Sequence, residues 1–98
     1  MSEKLKITRG SGNVFRDLGF SKDEAENLKL RAELIMRIKD RFRKSGMTQT
    51  GAAKMLALTT PRFNALLKGN IGMFSLDALV TIAVRAGLSV ELRVKKAA

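Results

Sequence analysis

The sequence TQTGAAKMLALTTPRFNALLKG, residues 48–69, decides how this chain folds. Thr48 and Thr59 are residue types that cap helix N-termini, and each precedes a short segment with helical spacing of its apolar residues. Pro61 lies in the first turn of the second segment, where its missing N–H costs nothing, and Gly69 closes that segment. The stretch therefore predicts two short helices joined by a tight turn.

The side chains of these two helices fit a close crossing. The first helix is expected over residues 49–56, and Ala52 and Ala53 lie where only small side chains let two helices approach. The positions that point into a shared core are Leu56, Leu58, Phe63 and Leu66. Caps, small residues and core residues in register predict a helix-turn-helix, whose second helix would enter the major groove of DNA.

Two residues of the motif are expected to lower its stability. Gly51 stands where a capping box would place Glu, and a glycine inside a helix costs roughly 1 kcal/mol relative to alanine. Ala57 stands in the turn, where glycine would more easily take a positive φ. We therefore expect a modestly stable hairpin that is held by tertiary packing.

Two longer helices are expected on either side of the motif. Ser21 is predicted to cap a helix over residues 22–44, and Ser75 another over residues 76–86, each ended by a glycine. The apolar face of the first consists of Leu30, Leu34, Ile35, Ile38 and Phe42. The apolar face of the second consists of Leu76, Leu79, Val80 and Ala83. The predicted fold is therefore all-α, a helical domain followed by a C-terminal β-strand.

The strand is predicted by the alternation of apolar Leu88, Val90, Leu92 and Val94 with polar residues. A lone strand needs a partner for its backbone groups and its apolar face. Within the chain only residues 5–7 offer one, so the simpler inference is pairing with the same strand of a second molecule, giving a dimer. Residues 1–20 are expected to form a flexible arm and residues 21–98 the domain.

Positive charge is concentrated around the motif. The chain has nineteen Lys and Arg against nine Asp and Glu, a net charge of +10. No acidic residue lies between Asp40 and Asp77, a span with the basic residues Arg41, Arg43, Lys44, Lys54, Arg62 and Lys68. An electrostatic field of positive sign is expected where a protein contacts the phosphates of a nucleic acid. The alternative, an ordinary helical hairpin with a basic surface and no partner, does not predict the missing acids.

The composition argues against several other functions. Without Cys or His the chain cannot form disulfides, and neither a metal site, a cofactor site nor a His-based catalytic site is expected, so we do not expect an enzyme. Five Phe with no Tyr or Trp leave few surfaces for base stacking, which disfavours an RNA module. No apolar run or signal peptide points to a membrane, and we expect a cytoplasmic protein.

Three segments of the motif resemble Xre-type, lambda-repressor-like helix-turn-helix proteins: MTQTGAA (residues 47–53), LTTPR (58–62) and LKG (67–69). The flanking segments at residues 11–15, 17–20 and 74–77 resemble the HigA-like antitoxins that are encoded beside a toxin gene. The resemblance covers about residues 11 to 94. It implies a compact helical domain that dimerises on a DNA operator and represses its own operon. It also implies a second role, binding and neutralising a toxin, in this family often a ribosome-dependent mRNA endonuclease.

The predicted DNA-binding residues are Gln49, Thr59, Thr60, Arg62, Asn64 and Lys68. Gln49 and Thr59 are expected at phosphates, assisted by backbone N–H groups at the two helix starts. Thr60, Arg62 and Asn64 are expected at base edges, because Arg suits the two acceptors of guanine and Asn suits adenine. Lys68 is expected to reach the DNA backbone.

Four apolar residues of the arm are the candidates for toxin contact: Val14, Phe15, Leu18 and Phe20. An equal alternative is that they fold back on the helices of the domain. The sequence thus predicts a sequence-specific repressor that is also an antitoxin. The alternative is a stand-alone, phage-like regulator of the Xre type with no toxin partner, and an adjacent toxin gene would separate the two.

Overall fold

The computed structural model describes residues 3–8 and 14–96 of the chain. The elements in chain order are β1 (Glu3–Thr8), α1 (Val14–Asp17), α2 (Lys22–Ser45), α3 (Gln49–Met55), α4 (Thr60–Leu67), a 3₁₀ turn (Ile71–Met73), α5 (Leu76–Arg85) and β2 (Leu88–Arg93). The predicted fold class, a helical domain with a C-terminal strand, is confirmed. The longest helix, α2, contacts α1, α4 and α5 and so forms the centre of the domain.

Helices α2 to α5 begin where their capping residues predict. In each case a hydroxyl oxygen accepts a backbone N–H three residues further on, at 3.2 Å for Ser21, 3.1 Å for Thr48, 3.3 Å for Thr59 and 3.1 Å for Ser75. Each of these residues has extended backbone, as an N-cap requires. The sequence therefore located all four helix starts correctly.

One apolar cluster forms the core and draws on every helix from α2 to α5. The predicted residues Leu34, Ile35 and Ile38 of α2 are at most 3% exposed, and five further predicted residues, Leu30, Phe42, Leu58, Leu76 and Val80, pack against them half-buried. Phe42 of α2 meets Phe63 of α4 edge to face, with ring centroids 5.1 Å apart. Phe74 and Ile82 are also buried and were not among the predicted core residues.

The one-turn helix α1 was not predicted, since its residues were assigned to the arm. It ends in a Schellman motif, in which Phe20 N donates to Phe15 O at 3.1 Å and Gly19 takes a φ of 97°. The rings of Phe15 and Phe20 meet at 6.2 Å across this turn, and α1 packs on α2. The predicted mobility of the arm also concerns residues 1–2 and 9–13, which lie outside the described residues.

The expected partner of the last strand needs a correction. β2 pairs in parallel with β1 of the same chain, with Glu3 opposite Leu88 and Thr8 opposite Arg93. This segment contains residues 5–7, the internal candidate that the sequence analysis ranked behind pairing across a dimer. Because β1 belongs to the same chain as β2, it has a high effective concentration near β2. A second molecule would have to lose its translational freedom to pair with β2. One edge of β2 is therefore occupied within the protomer.

Candidate nucleic-acid interface

The turn between α3 and α4 has the geometry of a helix-turn-helix. Leu58 N donates to Ala53 O at 2.8 Å and Ala57 N donates to Lys54 O at 3.1 Å, a Schellman motif that closes α3. Ala57 takes a φ of 56°, the left-handed conformation that its position predicted. Ala52 and Ala53 are both buried at this junction, as the expected close crossing requires.

Helix α4 has one buried face and one outward face. Phe63 and Leu66 are fully buried and fix the inward side. Thr60, Asn64 and Lys68 follow one another at intervals of four residues, so they lie along one stripe of the helix. Thr60 and Lys68 are exposed and Asn64 is half-buried. Three of the predicted DNA-binding residues therefore share a surface that the core does not use.

The two predicted phosphate contacts lie at the starts of α3 and α4. Gln49 is the first residue of α3 and is exposed. Thr59 caps α4, and its hydroxyl oxygen accepts from the backbone N–H of Arg62. A hydroxyl that accepts one hydrogen bond still has its own hydrogen to donate. Each helix start also carries the positive end of a helix dipole, which favours an anion nearby.

Arg62 differs from the other predicted residues, because its side chain is already engaged. Its Nη1 donates to the backbone oxygen of Met73 at 3.3 Å, and its guanidinium carbon lies 4.6 Å from the ring centroid of Phe74. Phe74 is 1% exposed, whereas Arg62 is half-buried. The side chain expected to read a guanine thus lies against the turn that follows α4.

The stretch between Asp40 and Asp77, here called the acid-free span, contains basic side chains that differ in whether other groups of the protein already engage them. Arg41 donates from Nε to Ala86 O at 3.1 Å, and Arg43 and Lys44 pair with Asp40 at 3.2 Å and 3.0 Å. The hydrogen bond from Lys44 is the main reason that the pKa of Asp40 lies below its ordinary value. Among the described residues Lys54 and Lys68 show no hydrogen bond or ion pair, and both are exposed. Within this span, these are the two ammonium groups that show no partner in the described part of the protein.

The apolar residues of α1 and the turn after it are largely exposed. Val14 is 58%, Leu18 69% and Phe20 40% exposed, whereas Phe15 is half-buried. Toxin contact and packing on the helices of the domain are the two equal alternatives that the sequence predicts for these four residues. Phe15 is half-buried and its ring contacts Phe20, whereas Val14, Leu18 and Phe20 are exposed and are here called the α1 patch. Residues 14–26 hold four acidic and two basic side chains, the reverse of the balance in the whole chain.

The four residues predicted for dimerisation divide into two pairs. Leu88 is 3% exposed and belongs to the core, and Val90 packs against it half-buried. Leu92 and Val94 are 64% and 68% exposed. Only the second pair is therefore free on the surface of the protomer.

Residues 3–8 and 14–96 contain no group of three or more acidic, His or Cys side chains that could hold a metal ion. Over the same ranges, no helix has both the length and the apolar character needed to cross a membrane.

Comparison with known families matches residues 14–95 to the helix-turn-helix domain family. Since the match extends over most of the chain and includes α1 and β2, the chain belongs to this family. It matches no curated protein sequence. Family membership together with the geometry of α3 and α4 identifies a DNA-binding regulator of the helix-turn-helix type.

Proposed function

We propose that the protein is a sequence-specific transcriptional repressor of the Xre type that also serves as the antitoxin of a toxin–antitoxin pair. The observation that carries the DNA-binding part is the outward stripe of α4, Thr60, Asn64 and Lys68, beside a helix start capped by Thr59. The core does not need these side chains, and no acidic residue lies near them in sequence. An ordinary helical hairpin would have no reason to keep such a face free of carboxylates.

The proposed contacts follow from the chemistry of each group. Thr60 and Asn64 reach base edges, where the Asn amide can both donate to and accept from adenine. Gln49, Thr59 and Lys68 bind phosphates and set the register of α4 in the groove. Arg62 is not included among the base readers, because Met73 and Phe74 already engage its guanidinium.

In vitro selection from a random duplex library, followed by fluorescence anisotropy on the enriched site, tests this part. We expect Asn64→Ala to cost about 1–3 kcal/mol of binding free energy and to relax preference at one base position. Lys68→Ala should weaken binding to all sequences and lower the salt slope by about 1. Arg37→Ala, which removes one charge from an exposed position of α2, is the matched control. Selection that enriches no sequence refutes the proposal.

The antitoxin part is supported by the α1 patch and by the resemblance to HigA-like proteins. Exposed apolar side chains in a cluster are typical of a protein interface. The carboxylates of Asp17, Asp23 and Glu24 lie beside the patch in sequence and are exposed. Such a surface complements a partner with an apolar centre and a basic rim, which suits a toxin that itself binds RNA.

Co-expression with the product of the neighbouring gene tests the antitoxin part. We expect a stable complex with the wild type and loss of the complex with Leu18→Lys, since that change places a cation in the apolar centre. Val84→Lys, at a largely exposed apolar position on α5, should leave the complex intact. A neighbouring product that is harmless and does not bind the chain would support the alternative, a stand-alone regulator without a toxin.

A dimer would let two copies of α4 read half-sites about one helical turn apart. The support for it is the exposed pair Leu92 and Val94 at the end of β2, of which one edge pairs with β1. We expect the double variant Leu92→Lys and Val94→Lys to be monomeric by light scattering. Met36→Lys, at an exposed position of α2, should leave the dimer unchanged. Deleting residues 88–98 is a poorer test, because Leu88 belongs to the core. A monomeric wild type, or a double variant that remains dimeric, contradicts this assignment.

A further inference from the structure

Two arginines from different helices converge on the turn that follows α4, residues 71–74, here called the post-α4 turn. Arg31 of α2 donates from Nη1 to Ile71 O at 3.3 Å and to Phe74 O at 3.1 Å. Arg62 of α4 donates from Nη1 to Met73 O at 3.3 Å and stacks on the ring of Phe74 at 4.6 Å. Three of the four backbone oxygens of this turn therefore accept from a guanidinium.

We infer that Arg62 is a positioning residue for DNA binding, one that fixes the orientation of α4 through Met73 and Phe74 and does not read a base. The inference rests on the proposed DNA-binding function. It replaces the base contact that the sequence predicts for Arg62 with an intramolecular role for the same side chain.

Helix α4 needs such a positioning contact because it is short. The helix has eight residues, a length of about 12 Å, and only Phe63 and Leu66 anchor it by full burial. A functional constellation must be held to within about 0.5 Å by the packing around it. Arg62 joins the first turn of α4 to the post-α4 turn, and Arg31 joins that turn to α2. The two arginines thus connect the DNA-facing helix to the longest helix of the domain.

The chemistry of the contact requires arginine in particular. A guanidinium is planar, so it can stack on an aromatic ring while an N–H at its edge donates to a carbonyl. A lysine ammonium at the same position keeps the charge but has no plane to stack. Only Nη1 donates to Met73 O, so Arg62 would have to read a guanine through Nε and Nη2 while its plane stays on Phe74, or else leave both contacts.

A double-mutant cycle on DNA affinity separates the possible roles of Arg62. The variants are Arg62→Ala, Phe74→Leu and the two combined, measured by anisotropy on the site that the wild type selects, well below the melting temperature of every variant. We expect each single change to weaken binding about tenfold, and the pair to weaken it little further, because both remove one contact. The loss should be equal for the selected site and for its single-base variants, and the salt slope should not change. Arg62→Lys should not restore affinity.

Other results overturn the inference. Loss confined to one base position, additive with Phe74→Leu, would mean that Arg62 reads a base. A salt slope lower by about 1, or rescue by Arg62→Lys, would mean that Arg62 binds a phosphate. A lower melting temperature with unchanged affinity would mean a purely structural role. Arg37→Ala controls for the loss of one charge. If the wild type itself selects no site, the proposed function fails and the inference falls with it, whereas the other outcomes refute the inference alone.

Discussion

Replacing Ala57 with glycine should stabilise the protein, although glycine usually weakens a fold. Ala57 has a φ of 56° at the position that closes α3. An L-residue with a Cβ in this conformation suffers a clash with the backbone, and glycine does not. The side chain of Ala57 is exposed, so removing its methyl group leaves no cavity in the core.

Two opposing terms set the size of the effect. Relief of the left-handed strain contributes about 1–2 kcal/mol. The greater conformational freedom of glycine in the unfolded chain lowers the free energy of unfolding by about 0.4–1 kcal/mol. The net gain is therefore about 0.8 kcal/mol. For a domain of this size, each kcal/mol moves the melting temperature by roughly 4–8 °C, so Ala57→Gly should melt about 3–6 °C higher.

Far-UV circular dichroism is the suitable assay, because the chain has neither Trp nor Tyr for fluorescence. Urea and thermal unfolding should be recorded at one protein concentration, since a dimer would make the melting temperature depend on it. Ala32→Gly, in the interior of α2 and with ordinary helical backbone, is the matched control. It should destabilise the protein by about 1 kcal/mol.

If Ala57 is strained, Ala57→Gly should raise the free energy of unfolding and Ala32→Gly should lower it. Equal destabilisation by both would refute the reasoning, because it would show that the turn does not hold a strained left-handed residue in solution. Operator affinity provides a second check. Ala57→Gly should leave operator affinity unaltered, because it relieves strain without changing the conformation of the turn.

Three further changes probe local features of the same region. Thr59→Ala should cost about 1 kcal/mol of unfolding free energy in urea, because it removes the cap of α4, and Thr59→Ser should not. Gly51→Ala should gain much less than the roughly 1 kcal/mol of helix propensity, since its Cβ would lie 3.1 Å from Thr48 Oγ1; a full gain by thermal unfolding contradicts this. The lowered pKa of Asp40 contributes stability above its unfolded value of 3.8, and this contribution is lost as the pH falls through the lower folded value. Asp40→Asn should therefore lose less stability than the wild type on acidification in low salt, and equal acid sensitivity of the two proteins in urea titrations would contradict the pairing with Lys44.

The features predicted well from the sequence are those that depend on a few neighbouring residues. A cap such as Thr48 or Thr59 bonds three residues ahead, and the apolar face of α2 repeats within a few turns. The strain at Ala57 was also predictable, because a Schellman ending fixes which residue must take a positive φ. In all these cases the sequence window contains both partners of the interaction.

The features that the sequence did not determine connect distant segments. Pairing of β1 with β2 joins residues 3–8 to residues 88–93; residues 5–7 are a visible candidate, but nothing in either strand favours that pairing over the same strand of a second molecule. Phe74 lies outside any periodic segment, so its burial could not be recognised until α2 and α4 were in place around it. The one-turn helix α1 was missed for another reason: four residues are too few to show a period, although Leu18-Gly19-Phe20 carries the glycine that ends it.

The charge pattern predicts a polyanionic partner without assigning the residues that read its bases. An excess of basic residues predicts a polyanionic partner through their summed field, and that field does not depend on what each side chain contacts. Base reading, in contrast, needs free N–H groups, and five arginines donate at least one N–H to a backbone oxygen: Arg16, Arg31, Arg41, Arg62 and Arg85. Arg41 and Arg85 do so at the C-caps of α5 and α3, where unpaired carbonyls attract a cation. These arginines still add to the attraction for DNA while their donors hold the fold together. The acid-free span therefore supports DNA binding as a property of the surface, and we propose the outward stripe of α4 for the base contacts.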